Sequence, residues 1–231
     1  MDIDALIQLD KQLLLAVNGS ESLFFDGLVK TLTTATTWIP LYVSLFYLVL
    51  KNNDSVQKIL LIVASAGVCV FLAGSLDDMI VKPLVARWRP THDPQIGSLV
   101  DVVNGYRGGD YGFFSAHASN TFSIAFFFCW LVRSRLLSVA LVIWSLVNCW
   151  TRMYLGVHYP GDILVGLLWG ATVGGLVYLG YRRLNRRLCT GMNFVSSQYT
   201  STGYQQREVD VVVCVLVYTF IYALFRACMF Q

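Results

Sequence analysis

The chain has 231 residues, 56% of them hydrophobic and 13% charged, where a soluble domain carries about 25% charged residues. A mean hydropathy of +0.59 excludes an ordinary soluble fold and marks an integral membrane protein of one domain. The net charge of +3 is small and its basic residues form no stripe, which excludes a nucleic-acid-binding surface.

Residues 2–17 place Ile3, Leu6, Ile7, Leu13, Leu14 and Val17 at helical spacing, with Asp4, Gln8 and Lys11 on another side. That pattern is too short and too charged to span, and predicts a helix lying in the membrane surface. The acidic Met-Asp-Ile-Asp start is unlike a secretory signal, which would be basic. Asn18-Gly19-Ser20 ends this first helix. Residues 23–50 are apolar but broken by a run of threonines and by Pro40, so the expectation is a helix to about Thr36 and then a second with Pro40 in its first turn.

Clear spans follow at 56–80, 117–132, 136–150 and 163–181, the last carrying Gly166, Gly170, Gly174 and Gly175 for close helix packing. Residues 188–208 are polar and read as a mobile cytoplasmic linker; 209–226 form a further apolar segment. The expected architecture is an all-α membrane bundle of five to six spans. It divides into an interfacial helix at 1–20, a catalytic bundle at 21–187, the linker at 188–208 and an extra C-terminal helix at 209–231. Cys69, Cys129, Cys149, Cys189, Cys214 and Cys228 have no paired spacing, and read as small buried hydrophobes, not as a disulfide or metal framework. Lys51, Lys58, Arg133, Arg135 and the arginines at 182, 183, 186 and 187 alternate onto one side. The positive-inside rule makes that side cytoplasmic.

Three polar clusters interrupt the apolar pattern, and all fall on the opposite side. They are Lys82 to Pro90, Phe114-Ser115-Ala116-His117, and Thr151-Arg152 followed by His158 and Asp162. Ionisable groups at membrane depth are costly and point to function. Lys82 lies four residues after Asp78, close enough to pair with it. Arg89 precedes Pro90 and is held extended, away from the helix. Ser115, Ala116 and His117 open a helix, whose free N–H groups form an anion site. Asp162, one turn from His158, is placed to accept a hydrogen bond from one ring nitrogen and leave the other free to attack. A cationic cradle with two histidines suits phosphoryl transfer, where positioning and charge neutralisation dominate. No set of metal ligands and no cofactor box accompanies it.

Each residue also has a plain reading. Arginine and lysine at helix ends often snorkel to the interface, and for Arg87 alone that weighs equally with a ligand role. Asp77 and Asp78 read as partners of the cations, His92 as a loop hydrogen-bonder, and Tyr106 as loop packing. For Lys82, Arg89 and Arg152 the joint spacing favours a site.

Taken together, Lys82-x6-Arg89-Pro90, Ser115-x-His117 and Arg152-x5-His158-x3-Asp162 resemble the three motifs of the type-2 phosphatidic acid phosphatase superfamily over residues 55–182. The chain departs from the usual Pro-Ser-Gly-His by Phe114-Ser115-Ala116-His117 and has Thr151 where serine is usual. The resemblance implies metal-independent hydrolysis through a phosphohistidine. By position, His158 would be the nucleophile, Asp162 its orienting partner and His117 the acid for the leaving oxygen. Lys82, Arg89, Ser115, Ala116 and Arg152 would hold the phosphate. The expected partner is an amphiphilic lipid phosphate in a bacterial inner membrane, with the site facing the periplasm. Undecaprenyl diphosphate is the first substrate expectation. Lipid A, phosphatidylglycerophosphate, phosphatidate and phosphotransfer to another lipid are the alternatives, and a silent phospholipid binder is the rival of another class.

Overall fold

The computed structural model describes residues 3–188 and 197–229, without the side chains of Asn104, Arg187 and Leu188. Eight helices run through the described residues: α1 Ile3–Val17, α2 Leu23–Thr33, α3 Ile39–Lys51, α4 Val56–Val85, α5 Ala116–Val132, α6 Arg135–Tyr154, α7 Pro160–Leu188 and α8 Gln206–Cys228. Helices α4, α6, α7 and α8 are long and apolar enough to cross a membrane, and α2 with α3, bent by 66°, makes a fifth crossing if taken as one. The apolar α5 has 17 residues, about 25 Å of helix. The protein is therefore an all-helical membrane bundle.

The threonine run explains the bend between α2 and α3. Carbonyls freed by a break in a span need internal donors, because lipid offers none. Thr34 Oγ1 donates to the Lys30 carbonyl and Thr37 Oγ1 to that of Thr31, each at 2.7 Å; Trp38 Nε1 donates to Leu32 at 2.8 Å. Pro40 then falls in the first turn of α3, where its missing N–H costs nothing.

Helix α4 runs five residues past its predicted end and contains two π-turns, Phe71–Ser75 and Asp77–Val81. Neighbouring helices satisfy its carbonyls there: Trp169 Nε1 donates to Leu72 at 3.2 Å and Ser119 Oγ to Ala73 at 2.9 Å. Such turns frequently mark functional positions, and this one delivers Asp77 and Lys82 to the site end.

The seam between α5 and α7 brings the other motifs together. A Cβ on Gly166, Gly170 or Gly174 would lie 2.6–2.8 Å from the carbonyl of Ser115, Ser119 or Ser123 respectively. Glycine every fourth residue thus lets the two backbones touch, as small residues do in membrane packing. The seam sets the start of α7 beside the start of α5.

The linker expectation needs correction. Residues 189–196, with Cys189, lie outside the described residues, but 197–205 are pinned to the bundle. Thr202 Oγ1 donates to the Val132 carbonyl and Gln205 N to Asn52 Oδ1, both at 2.7 Å, and Thr200 and Tyr204 are buried. Helix α8 starts at Gln206, packs against α2 and α3, and sets Phe220 edge-on to Trp38. The remaining five cysteines are free thiols.

Candidate active site

The loop after α4 is shaped by local rules. Ala86 adopts a left-handed conformation that ends the helix, and Arg89 is extended before Pro90. Residues 87–89 pair antiparallel with 110–112: Gly112 N donates to Arg87 O and Arg89 N to Asp110 O, both at 2.9 Å. A Cβ on Gly112 would come within 3.0 Å of Arg89 Cγ. This two-stranded patch carries Arg89 and the Gly112 carbonyl over the end of the bundle.

His158 is the buried centre, 1% exposed. Its Nδ1 sits 2.9 Å from the Gly112 carbonyl, and its Nε2 lies 3.2 Å from Arg89 Nη1. A carbonyl can only accept, so Nδ1 carries the proton and Nε2 offers its lone pair to the cations. Burial, then the charges of Arg89, Arg152 and Lys82, push the imidazole well below its ordinary pKa. The ring is neutral at physiological pH, with a nucleophilic nitrogen aimed into a cluster of positive charge.

The expected contact between His158 and Asp162 is absent. Asp162 Oδ2 is 3.8 Å from Nδ1, beyond a hydrogen bond. Its oxygens instead accept from Tyr159 N at 3.0 Å and Arg87 Nη1 at 2.6 Å. The Gly112 carbonyl orients the ring, and Asp162 holds the chain that bears it. Its own carbonyl accepts from Ser115 N at 3.2 Å, tying the second and third clusters together.

The cations are held without being fully used. Lys82 pairs with Asp78, as the spacing predicts, and with buried Asp77 at 3.0 Å. Asp77 also accepts from Phe114 N at 3.1 Å. Arg152, 3% exposed, donates to Thr33 Oγ1 at 2.7 Å and Tyr106 Oη at 3.1 Å. The Nε atoms of Arg89 and Arg152 are buried and make no hydrogen bond within the protein. Buried donors of this kind call for an acceptor. The Arg89 guanidinium is held below its usual pKa, by burial first and then by Arg152.

His117, exposed at the start of α5, lies within electrostatic reach of Arg152, His158, Lys82 and Arg89. It shares a cavity of about 340 Å³ with Arg152, Tyr106 and Thr33. Ala116 opens α5 beside it, while Ser115 is fully buried and caps the helix, its Oγ accepting from Ala118 N at 3.4 Å. The structure thus gathers Lys82, Arg89, His117, Arg152 and His158 in one place, with Asp162 behind them. The Ser115 hydroxyl is used within the helix cap.

Sequence reasoning missed four contributors. Arg87 pairs with Asp162, Tyr106 and Thr33 hold Arg152, and Gly112 sets the histidine tautomer. Arg87 had a signal in lying two residues before Arg89; a backbone carbonyl had none. Among the described residues no group of three or more His, Cys, Asp or Glu is arranged to hold a metal ion.

Comparison with known proteins decides the family. The sequence model of the PAP2 superfamily matches residues 55–186, the stretch that carries all three clusters. The chain belongs to the PAP2 superfamily. It is 41% identical over 187 residues to a lipid A 4'-phosphatase of Bacteroides thetaiotaomicron, covering 80% of this chain and 83% of that one. A lipid A 4'-phosphatase of Porphyromonas gingivalis is 33% identical over 78% of this chain and 75% of its own. A decaprenylphosphoryl-5-phosphoribose phosphatase of Mycobacterium tuberculosis is 38% identical over 48% of this chain and 57% of its own. No solved structure matches. This PAP2 protein is a membrane lipid phosphatase, a phosphoric ester hydrolase. Both relatives matched along most of this chain are lipid A 4'-phosphatases, not undecaprenyl diphosphatases.

Proposed function

We propose that this phosphatase removes a phosphate monoester from the sugar headgroup of a lipid A-type glycolipid, with His158 as the nucleophile. The observation that carries the chemistry is the tautomer of His158: Nδ1–H on the Gly112 carbonyl and Nε2 facing Arg89. The substrate class rests on the two lipid A 4'-phosphatases matched along most of the chain.

In this reading Lys82, Arg89 and Arg152 neutralise the phosphate oxygens, with the free Nε–H groups of both arginines as donors. His158 Nε2 attacks phosphorus and the bond from phosphorus to the sugar oxygen breaks. His117 gives that oxygen its proton. His117 then takes a proton from the water that attacks the phosphohistidine, so inorganic phosphate is released, Nε2 is restored and His117 is ready to donate again. Side-chain cations supply the charge neutralisation, so turnover should persist with EDTA.

The test is phosphate release from detergent-solubilised protein, in EDTA, on lipid A bisphosphate, undecaprenyl diphosphate and phosphatidate. Lipid A losing one phosphate fastest is the expected result. Faster release from the prenyl diphosphate would restore the first substrate expectation. His158→Ala should abolish turnover of every substrate. His117→Ala should cost ~10²–10⁴-fold on a monoester lipid and less on p-nitrophenyl phosphate, whose leaving group needs no proton. Activity surviving His158→Ala but not His117→Ala would reverse the two roles.

The site end is assigned to the periplasm, because the exposed arginines 133, 135, 182, 183 and 186 crowd the opposite end. In a cysteine-free background, a cysteine at Gly109 should react with an impermeant maleimide outside spheroplasts, and one at Asp54 should not. The reverse pattern would place the chemistry in the cytoplasm.

A further inference from the structure

Two consecutive residues of α1 reach the loop that carries His158. Asp10 Oδ2 accepts from Arg87 Nη2 at 2.7 Å, and Asp10 Oδ1 accepts from Gly161 N at 2.8 Å. The other terminal nitrogen of Arg87 donates to Asp162 at 2.6 Å. Lys11, 7% exposed, bonds Asp93 Oδ2 and Gln95 Oε1, both at 2.8 Å. Asp93 in turn accepts from the Tyr159 hydroxyl at 2.7 Å.

Tyr159 is the residue after His158, and it is held on three sides. Its ring lies 4.2 Å beneath the Arg87 guanidinium, its N–H bonds Asp162, and its hydroxyl bonds Asp93. Residues 158–162 are therefore gripped from both flanks by α1, through Arg87 and Gly161 on one and Asp93 on the other. A helix that merely floated on the membrane would turn its charges to water. Here Asp4 is exposed as that picture requires, while Asp10 and Lys11 point inward and spend their charges on the loop.

We propose that Asp10 and Lys11 are positioning residues of the phosphoryl transfer, making α1 a brace that fixes the line of attack of His158. The proposal rests on His158 being the nucleophile. Bond formation at Nε2 requires that nitrogen to stand in line with the departing oxygen, and a misplacement of about 1 Å can cost ~10²-fold. The brace acts on the attacking ring and leaves Lys82, Arg89 and Arg152 untouched. A defect in it should therefore fall on kcat and spare substrate binding.

The test uses the full-length protein in detergent. It measures kcat and KM on a phosphomonoester lipid, and inhibition by inorganic phosphate, which reads the cradle alone. Asp10→Asn is expected to lower kcat by about 10²-fold, with KM and phosphate inhibition nearly unchanged. Asp10→Glu, which keeps the charge, should recover part of the loss, and Lys11→Met should show a smaller fall of the same kind. Asp4→Asn makes the same charge change on the exposed side of α1 and should leave kcat unchanged.

An Asp10→Asn protein that behaves like Asp4→Asn overturns the brace. So does one whose KM and phosphate inhibition weaken in step with kcat. If Asp10→Asn is recovered unfolded by size exclusion, Asp10→Glu decides: a lower kcat at constant KM supports the brace, and an unchanged kcat or a matching rise in KM overturns it. His158→Ala separates this proposal from its foundation. Residual activity there overturns the nucleophile, whereas a dead His158→Ala beside an unaffected Asp10→Asn removes the brace alone.

Discussion

The bundle carries arginines at both ends, in opposite physical states. At one end Arg152 is 3% exposed, bonded to Thr33 and Tyr106, and Arg87 bridges two carboxylates. At the other, Arg133, Arg135, Arg182, Arg183 and Arg186 are exposed. The first group is desolvated and oriented, so each charge acts at close range in a low dielectric. The second is exposed, so its charges are solvated and screened. Composition counts these side chains alike; burial and partners separate them.

Deleting one arginine at each end breaks the comparison most directly. Arg152→Gln should lower kcat/KM by ~10²–10³-fold, the usual cost of one preorganised donor to a developing oxyanion. Arg183→Gln should leave kcat/KM unchanged. Steady-state kinetics on the purified variants checks both, and equal losses would mean that the buried end has no special role.

A second experiment sharpens the electrostatic side. His158 is held well below its ordinary pKa, by burial first and then by Arg89, Arg152 and Lys82, so the ring is uncharged through neutral pH. Arg89→Gln removes the nearest positive charge, 3.2 Å from Nε2. The pKa must then rise, and the acid limb of the kcat/KM profile should move to higher pH. The same shift fixes a sign for stability. The unfolded chain protonates this histidine near pH 6.5 and the folded protein does not, so the unfolded state binds more protons below that value. Stability should therefore fall as pH drops below about 6.5, and His158→Ala should flatten that part of the curve. An acid limb that stays in place in Arg89→Gln would mean that Arg89 does not set the charge of the His158 ring.

The two ends also differ in how much of them the sequence reveals. Helix spans and exposed arginines are legible because hydropathy and the positive-inside rule act locally. Lys82, Arg89, Arg152 and His158 were legible because their spacing locks them to helix ends. The pairing of Arg87 with Asp10 and Asp162 was not, since it joins positions 77 and 75 residues apart that meet only in the folded bundle. The Gly112 carbonyl could not be read at all, being a backbone atom whose direction depends on the pairing of 87–89 with 110–112. The π-turns of α4 were hidden because hydropathy is blind to a change of helical register. The start of α8 at Gln206 was missed because Asn52, far off in sequence, satisfies the Gln205 N–H.

The smallest effect tests the packing that aligns the site, using two glycines of one helix. Gly170 faces the seam near the catalytic end, where a Cβ would sit 2.6 Å from the Ser119 carbonyl; Gly180 has nothing within 4 Å. Alanine at Gly180 should gain the ordinary helical advantage over glycine, roughly 0.5–1 kcal/mol, seen as a slightly raised Tm in detergent. Alanine at Gly170 carries the same advantage, but must push two backbones apart, and overpacking of this kind costs typically 1–3 kcal/mol. The net change should be a loss of about 0–2.5 kcal/mol, with Tm lowered where Gly180→Ala raises it. Because the displaced helix carries Asp162 at its first turn, kcat should fall with Tm in Gly170→Ala and hold in Gly180→Ala. If both variants are stabilised alike, α5 and α7 do not touch at Gly170, and the alignment of His117 with His158 needs another cause.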